Sequence, residues 1–330
     1  MINKKLLYIF LILTLVFTLA GCGNAKETSS DNAKGSSATA SSNEKIKLGF
    51  SFGQSVHPFF VAMEKGARDA AKELNVQLDV TSADYKLENQ LANVEDLLQK
   101  GVKGLLINPI DSKALANVVN EANKKNVGVF TVDIGVIGAD TTSFIASDNK
   151  EIGRTAAKYL ISKLNGKGKI AIIGWPTITS CLDRETAFIE EVKKEPGIQI
   201  VANQGAGMER SKSLEAAETI LQANPDIDAF FGANDSAAMG ALGAIQARNN
   251  SKTFIVGVDD VPDMLTAIKD NTAVKATVAQ DPYKMGKLAV EQAVKHIKGE
   301  TSPKVIPVET SLVTSENVNQ FIERAAKYKK

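Results

Sequence analysis

The feature that most constrains this chain is an alternation of short apolar runs with helical patterns that is carried through once and then begins again. Ile46–Ser51 (IKLGFS) is followed by the apolar stripe Phe60, Met63, Ala67, Ala70 and Leu74, a spacing near the helical repeat. Val76–Thr81 precedes Leu87, Leu91, Val94 and Leu98 on one helical face; Gly104–Asn108 precedes Leu115, Val118, Val119 and Ala122; Val127–Asp133 is a fourth strand. The pattern restarts with Ser143–Ala146 and a helix through Ile152, Ala156, Leu160 and Leu164. Lys169–Gly174, Ile198–Ala202, Asp228–Gly232, Thr253–Asp259 and Val274–Ala279 are further strands with helices between them. A repeated strand-then-helix order gives parallel sheets covered on both faces. A chain of 330 residues accommodates two such bodies. The fold class expected is α/β, with two doubly wound parallel-sheet lobes.

Composition removes several functions. Lys+Arg 39 against Asp+Glu 38 leaves no concentrated basic character for a nucleic-acid backbone. Two cysteines, Cys22 and Cys181, cannot build a disulfide scaffold, and two histidines, His57 and His296, argue against a His-rich metal centre. No metal or cofactor is expected.

The first residues read as an address. Lys4-Lys5, an apolar run from Leu6 to Phe17 and then Leu19-Ala20-Gly21-Cys22 make a cationic region, a hydrophobic region and small residues before a cut. A membrane-spanning anchor needs about 20 apolar residues, more than this run supplies. The tetrad Leu19-Ala20-Gly21-Cys22 resembles a bacterial lipoprotein processing box. That resemblance implies a signal peptide over 1–21, lipid on Cys22, and an exported protein anchored to the outer face of the cell membrane, or on the periplasmic side where an outer membrane exists. Residues 22–45, rich in Ser, Ala, Asn, Lys and Gly with no apolar periodicity, bury too little to fold and read as a tether.

Ligands of doubly wound sheets lie beyond the carboxyl ends of the strands. Polar residues gather there: Ser51 and His57 after the first strand, Asp133 after the fourth, Asn234-Asp235 after DAFFG and Asp259-Asp260 after TFIVGV. A single Asp at such a place often caps the next helix. Asp235 reads as the cap of a helix beginning Ser236-Ala237-Ala238, and Asp260 and Asp263 read as loop or cap residues.

His57-Pro58-Phe59-Phe60, Leu106-Ile107-Asn108-Pro109 with Asp111, Thr131-Val132-Asp133, Ile145-Ala146-Ser147-Asp148-Asn149, Asp183-Arg184, Gly232-Ala233-Asn234-Asp235, Gly257-Val258-Asp259-Asp260 and Ala279-Gln280 occur in this order. Together they resemble the type I periplasmic sugar-binding proteins, the ribose-binding group most closely, from Lys45 to about Thr314. The resemblance implies a three-segment hinge crossing near Ser147, Gln280–Asp281 and Val305–Thr310. It divides the chain into an N-terminal lobe over 46–146 plus 281–306 and a C-terminal lobe over 147–280 plus 307–330. It further implies the substrate-binding component of an ABC sugar importer, taking a small neutral sugar (pentose, hexose or polyol) and presenting it to the permease transmembrane subunits. A sugar sensor docking a membrane histidine kinase or chemoreceptor is the alternative. The related DNA repressors carry an N-terminal helix-turn-helix where this chain carries an export signal.

Carried over by position, the pocket comprises Ser51, His57, Phe59, Phe60 and Asp133 from the first lobe. The second contributes Arg184, Met208, Asn234, Asp259 and, at the hinge, Gln280. Carboxylates and amides bridge neighbouring hydroxyls, Arg supplies a rigid fork of donors, and aromatic faces cover the C–H side of a sugar ring. Two carboxylates against one guanidinium favour a neutral ligand. Several positions depart from the ribose-binding pattern: Ile134 stands where it has Arg, His57 where it has Asn, Val258 and Met208 where it has Phe. Trp175, after the strand KIAIIG, is placed to refill part of the vacated volume. Alternative roles are lobe packing for Trp175 and for one of Phe59 and Phe60, an ion pair outside the pocket for Arg184, and a plain buried thiol for Cys181.

Catalysis finds little support. There is no G-x-G-x-x-G after the first strand, no P-loop and no G-x-S-x-G elbow. Paired carboxylates could hydrolyse a glycoside, but in the family these residues serve recognition.

Overall fold

The computed structural model describes residues 45–250 and 252–328. The expected signal peptide over 1–21, the lipidation site Cys22 and all but the last residue of the tether lie outside the described residues.

The first run comprises β1 (Lys47–Phe52), α1 (Pro58–Glu73), β2 (Gln77–Ser82), α2 (Leu87–Gln99), β3 (Gly104–Ile107), α3 (Ala116–Lys124), β4 (Gly128–Val132) and β5 (Ser143–Ser147). The second comprises α4 (Asn149–Lys163), β6 (Gly168–Gly174), α5 (Thr179–Val192), β7 (Ile198–Gly205), α6 (Arg210–Ala223), β8 (Ala229–Gly232), α7 (Asp235–Ala247), β9 (Phe254–Asp259), α8 (Pro262–Lys269) and β10 (Val274–Ala279). The chain then returns through α9 (Pro282–Ile297), β11 (Val305–Val308), β12 (Ser311–Val313) and α10 (Val318–Tyr328).

Two six-stranded sheets result, ordered β11-β5-β4-β3-β1-β2 and β12-β10-β9-β8-β6-β7. Every pairing is parallel except that of β12 with β10. Both sheets therefore have the same topology, with a switch of direction beside β1 in one and β6 in the other. The central strands are buried along their length, as the apolar runs GLLI, GVFTV and AFFG require of strands covered on both sides. Side chains of β1 at Leu48, Phe50 and Phe52 fill one face of the first sheet, while Leu105, Ile107 and Val129 fill the other. The second sheet is covered likewise.

Ser143–Ala146 lies in β5, which pairs with β4 on one side and β11 on the other, within the first sheet and ahead of the passage at Ser147. One sequence reading is corrected here. Leu74 was placed on the buried stripe of the first helix, but α1 stops at Glu73 and Leu74 is the exposed C-cap, because Asn75 turns left-handed immediately after it.

The chain passes between sheets three times. Ser147 ends β5, and the Asp148 carboxylate accepts from the Glu151 amide to start α4 on the second sheet. After β10, Gln280 leads to Asp281, whose carboxylate caps α9 in the same way. Val308 still pairs with Ser147 and Ser311 already pairs with Ala279, so the third passage occupies Glu309 and Thr310. Helix α9 returns to lie against α1, where Gly66 and Gly286 face the partner backbone: a Cβ on either would overlap the carbonyl oxygen of Tyr283 or Met63.

Candidate functional site

Because both sheets point their carboxyl ends at the passages between them, the residues after β1, β3, β4, β6, β8, β9 and β10 converge. Phe59, Phe60, Asp133, Ile134, Trp175, Ile178, Ser180, Cys181, Arg184, Met208, Asn234, Asp259 and Gln280 line one cavity with about 300 Å³ of empty space.

Asp133 follows β4 in a left-handed conformation, φ 64°, its amide donating to the Ile145 carbonyl at 2.7 Å. The turn holds the carboxyl against Asn108, whose Nδ2 donates to Asp133 Oδ2 at 3.3 Å and to the Val132 carbonyl at 3.0 Å. Asp133 Oδ1 has no partner. Burial raises its pKa to about 7; Arg184 opposes the rise, and the carboxylate of Asp259 adds to it.

Asp259 ends β9 with φ 120°, a conformation few side chains adopt. Its Oδ1 accepts from Gln280 Nε2 at 2.6 Å and stands 3.7 Å from Arg184 Nη1. Burial nevertheless outweighs these partners and pushes its pKa up. Arg184 is itself buried on α5, donating through Nε to Asn149 Oδ1 and through Nη1 to the Ala233 carbonyl, both at 2.8 Å. Its backbone lies against α4, where α4 and α5 approach at Gly153 and a Cβ would overlap the Arg184 carbonyl oxygen. Asn234 caps α7, its Oδ1 accepting from the Ala237 amide and its Nδ2 donating to the Gly207 carbonyl.

The expected cap of that helix was Asp235. Instead Asn234 takes the position, and Asp235, fully buried in the first turn, accepts from the amides of Asp260 and Val261 at 2.7 and 2.8 Å and from Thr277 Oγ1. It braces the loop that carries Asp259. Asp260 pairs with Arg324 at 2.7 Å, and Asp263, in the first turn of α8, meets Arg210.

Two of the expected pocket residues stay out of the wall. Ser51 lies within β1, fully buried, its hydroxyl unpartnered behind the cavity. His57 is the N-cap of α1: its Nδ1 accepts from the Phe59 amide at 3.3 Å, and burial pulls its pKa down to about 4, so it remains a neutral acceptor. That cap swings Phe59 and Phe60 into the wall. Cys181 also lines the cavity, its thiol pushed up to about 12 by burial, with only the Ala233 carbonyl to meet it at 3.8 Å.

The lobes interlock around this cavity. Ile134 of the first packs in the second lobe's core with Ile178 and Cys181, and Met208 of the second packs against the first lobe's core. The Thr179 amide donates to Ser112 Oγ at 3.0 Å and its hydroxyl accepts from the Gly135 amide at 2.9 Å. At the mouth the Tyr85 ring makes edge contacts with Phe60 and with Trp175, each at 6.1 Å between centroids.

Among the described residues, the buried side-chain atoms without a hydrogen-bond partner are Ser51 Oγ, Tyr85 OH, Asn108 Oδ1, Thr131 Oγ1, Asp133 Oδ1, Ser147 Oγ and Gln280 Oε1. All lie on or just after strands whose carboxyl ends face the cleft. Buried polar atoms are ordinarily satisfied, and their concentration in one place marks where a polar ligand belongs. Asn108 and Tyr85 were not among the residues singled out for the pocket. Asn108 carried a signal, an amide directly after a buried strand; Tyr85 carried only that of an aromatic in a polar turn. A larger hollow of about 830 Å³ beside the hinge is walled by Val56, Pro58, Val61, Ala62, Pro262 and Tyr328. Its Asp260–Arg324 pair is mutually satisfied, and its orphaned acceptor, Gln280 Oε1, belongs to a residue that also lines the inner cavity.

A family model described as a periplasmic binding protein domain matches residues 48–301. The ribose import binding protein of Bacillus subtilis (strain 168) is 34% identical over 319 residues, 95% of this chain and 100% of the relative. The D-allose-binding periplasmic protein of Escherichia coli (strain K12) is 34% identical over 265 residues, 77% of this chain and 84% of the relative. Among solved structures, an ABC transporter solute binding protein from Mycobacterium smegmatis with bound glycerol superposes with a TM-score of 0.79 at 31% identity, covering 84% of this chain and 96% of that one.

Proposed function

Because the chain belongs to the periplasmic binding protein domain family, we propose that it is an extracytoplasmic receptor that closes on a small neutral sugar and delivers it to an ABC-type permease. The observation that carries this reading is the set of unpartnered buried oxygens at the carboxyl ends of strands from both sheets, with Asp133 and Gln280 among them lining the shared cavity. Asp133 Oδ1, Asn108 Oδ1 and Gln280 Oε1 are acceptors for sugar hydroxyls, and Arg184 supplies donors. Phe59, Phe60 and Trp175 offer apolar faces to the ring. Ser51 and His57 act behind this layer, by backing the wall and by capping α1. Two carboxylates with one guanidinium suit a ligand without charge.

The ligand is a pentose, hexose or cyclic polyol. Ribose alone is a narrower claim than the site supports, because Ile134 presents an apolar chain where the ribose-binding pattern has Arg, and Met208 a flexible chain where it has the ring of Phe. Relatives are described as binding ribose and D-allose. Open lobes expose half of the contacts each, and only the closed form makes both sets, so the sugar shifts the population toward closure. The permease then reads the closed outer surface. Lipid on Cys22 would hold the receptor at the membrane beside it. A sensor-kinase or chemoreceptor partner is not favoured, since the relatives are described as import and transporter proteins.

The test is a thermal-shift and calorimetric screen of the purified protein against pentoses, hexoses and polyols. A ligand at about 100 times its Kd adds about 2.7 kcal/mol of stability and raises Tm by several degrees. No shift with any neutral sugar or polyol would remove the reading.

A further inference from the structure

We infer that Tyr85 is a ligand-contacting residue of this site: its hydroxyl donates to an oxygen of a single-ring sugar or cyclic polyol, and its ring closes the mouth against Trp175. The inference rests on the sugar-receptor reading and adds to it a contact that the strand-end pattern does not contain.

Tyr85 lies in the turn that follows β2, and both Asp84 and Tyr85 are left-handed, at φ 51° and 54°. Asp84 is suited to this, its carboxylate accepting from Ser82 Oγ at 2.6 Å. A tyrosine gains no local hydrogen bond from that conformation, and for a bulky side chain it is an outlier. The surrounding turn enforces it: the Tyr85 amide donates to the Gly53 carbonyl at 3.1 Å and the Lys86 amide to the Ala83 carbonyl at 3.0 Å. Gly53 also makes room, since a Cβ there would stand 3.0 Å from Tyr85 Cε1. The outcome is a ring thrown across the cleft, edge-on to Phe60 of its own lobe and to Trp175 of the other.

The hydroxyl at the end of that ring is buried and has no partner. It senses the carboxylates of both lobes, since Asp259 and Asp133 add to burial in raising its pKa, and it stays a protonated donor. Trp175 and Met208 line both the inner cavity and an outer hollow, and Tyr85 lines the outer one with them. The three side chains therefore stand between the cavity and solvent. A strained backbone and an orphaned donor are two costs on one residue, and strain of this kind collects where a ligand repays it. The chemistry is complementary: a sugar hydroxyl that gives its proton to a carboxylate can accept one from the phenol, and each bond strengthens the other.

Tyr85→Phe keeps the ring and removes the donor; Tyr85→Ala removes both. Binding of D-ribose, D-allose, myo-inositol and glycerol is measured by calorimetry, and closure by the emission of Trp175, the one tryptophan of the chain. Whichever compound binds the wild type should bind Tyr85→Phe about tenfold more weakly, with the Tm of the free protein unchanged and the Trp175 response retained. Tyr85→Ala should also lose that response. Among singly deoxygenated analogues of the bound compound, one should bind wild type and Tyr85→Phe alike, because it lacks the oxygen the phenol addresses. Wild-type affinity in Tyr85→Phe, or an equal loss with every analogue, would overturn the assignment and leave the receptor reading intact. If none of the four compounds binds the wild type, the receptor reading fails for this ligand class and the assignment falls with it.

Discussion

The amide of Gly135 in the first lobe donates to the hydroxyl of Thr179 in the second at 2.9 Å. Gly135 stands two residues beyond Asp133, and Thr179 opens the helix that carries Arg184. One bond thus ties the strand end that carries Asp133 to the helix that carries Arg184. It exists only when the lobes are together, so it belongs to the closed state alone.

Thr179→Val removes that acceptor while keeping shape and the Thr179 amide bond to Ser112. Losing one such bond costs about 1 kcal/mol of closure, which is about a fivefold weaker sugar affinity. Isothermal titration should show this, with Tm of the free protein within about a degree of wild type. An unchanged Kd would mean that the bond does not help to hold the lobes closed.

Asp133→Asn separates recognition from stability. The carboxylate is buried near Asp259 with one oxygen unpartnered, and each is held above its ordinary pKa. Neutralising it relieves a buried charge in the empty protein, so Tm should hold or rise. Sugar binding should fall about ten- to a hundredfold, because charged acceptors contribute about 1.5–3 kcal/mol per bond. Asp259→Ala should abolish binding and also free Gln280 and Arg184. Retained affinity in both variants would show that the sugar lies elsewhere.

The pH behaviour follows from Asp133. Its pKa in the closed, empty protein is about 7, against 3.8 for an ordinary Asp. Between these values the closed form holds a proton that the unfolded chain has released, so this residue's contribution is most favourable below about pH 4 and is lost as pH rises through 7. The Tm difference between wild type and Asp133→Asn should therefore shift against wild type from pH 4 to 7 and level off above. A sugar hydroxyl bound at Asp133 would donate to its ionised form, so binding should release a proton near neutrality, and affinity should weaken as pH drops from 7 to 5. Calorimetry in two buffers of different ionisation enthalpy counts that proton; identical heats in both would contradict the scheme.

The strands could be read from the chain because buried parallel strands are nearly continuous apolar runs, and Asp133 and Asp259 could be found because each ends one. The groups that lie behind the cavity were harder. Ser51 and Phe52 are both buried, and nothing in KLGFSF says which atoms reach a ligand. His57 matched a pocket position, but its ring nitrogen is committed to a helix cap. Asp235 and Asn234 are neighbours of similar chemistry, and only the turn after β8 decides that Asn caps the helix and Asp braces the loop. Tyr85 was silent because its direction comes from two left-handed residues in a polar turn, which periodicity does not encode.

Gly153→Ala tests how Arg184 is placed. Alanine ordinarily favours a helix over glycine by about 1 kcal/mol. Here the added methyl would meet the Arg184 carbonyl and force α4 from α5. Overpacking of about 1–3 kcal/mol should reverse the sign, lowering Tm by several degrees. Sugar affinity should fall too, since Arg184 moves with its helix. A gain in Tm would mean that the helices accommodate the methyl without shifting.

Cys181 reports on closure. Its thiol is buried in the cavity wall and pushed up to about 12, so it is almost wholly protonated at neutral pH, and only the thiolate attacks an alkylating reagent. Opening the lobes should expose it to water and bring its pKa back toward the ordinary range. Alkylation by iodoacetamide, located by mass spectrometry of the Cys181 peptide, should therefore proceed at a rate set by the open fraction. Saturating sugar should slow it about tenfold or more, because it depletes that fraction and occupies the wall itself. Thr179→Val, with a weaker closed state, should speed it in the absence of sugar. A rate indifferent to both changes would mean that the thiol stays equally shielded whether the lobes are open or closed.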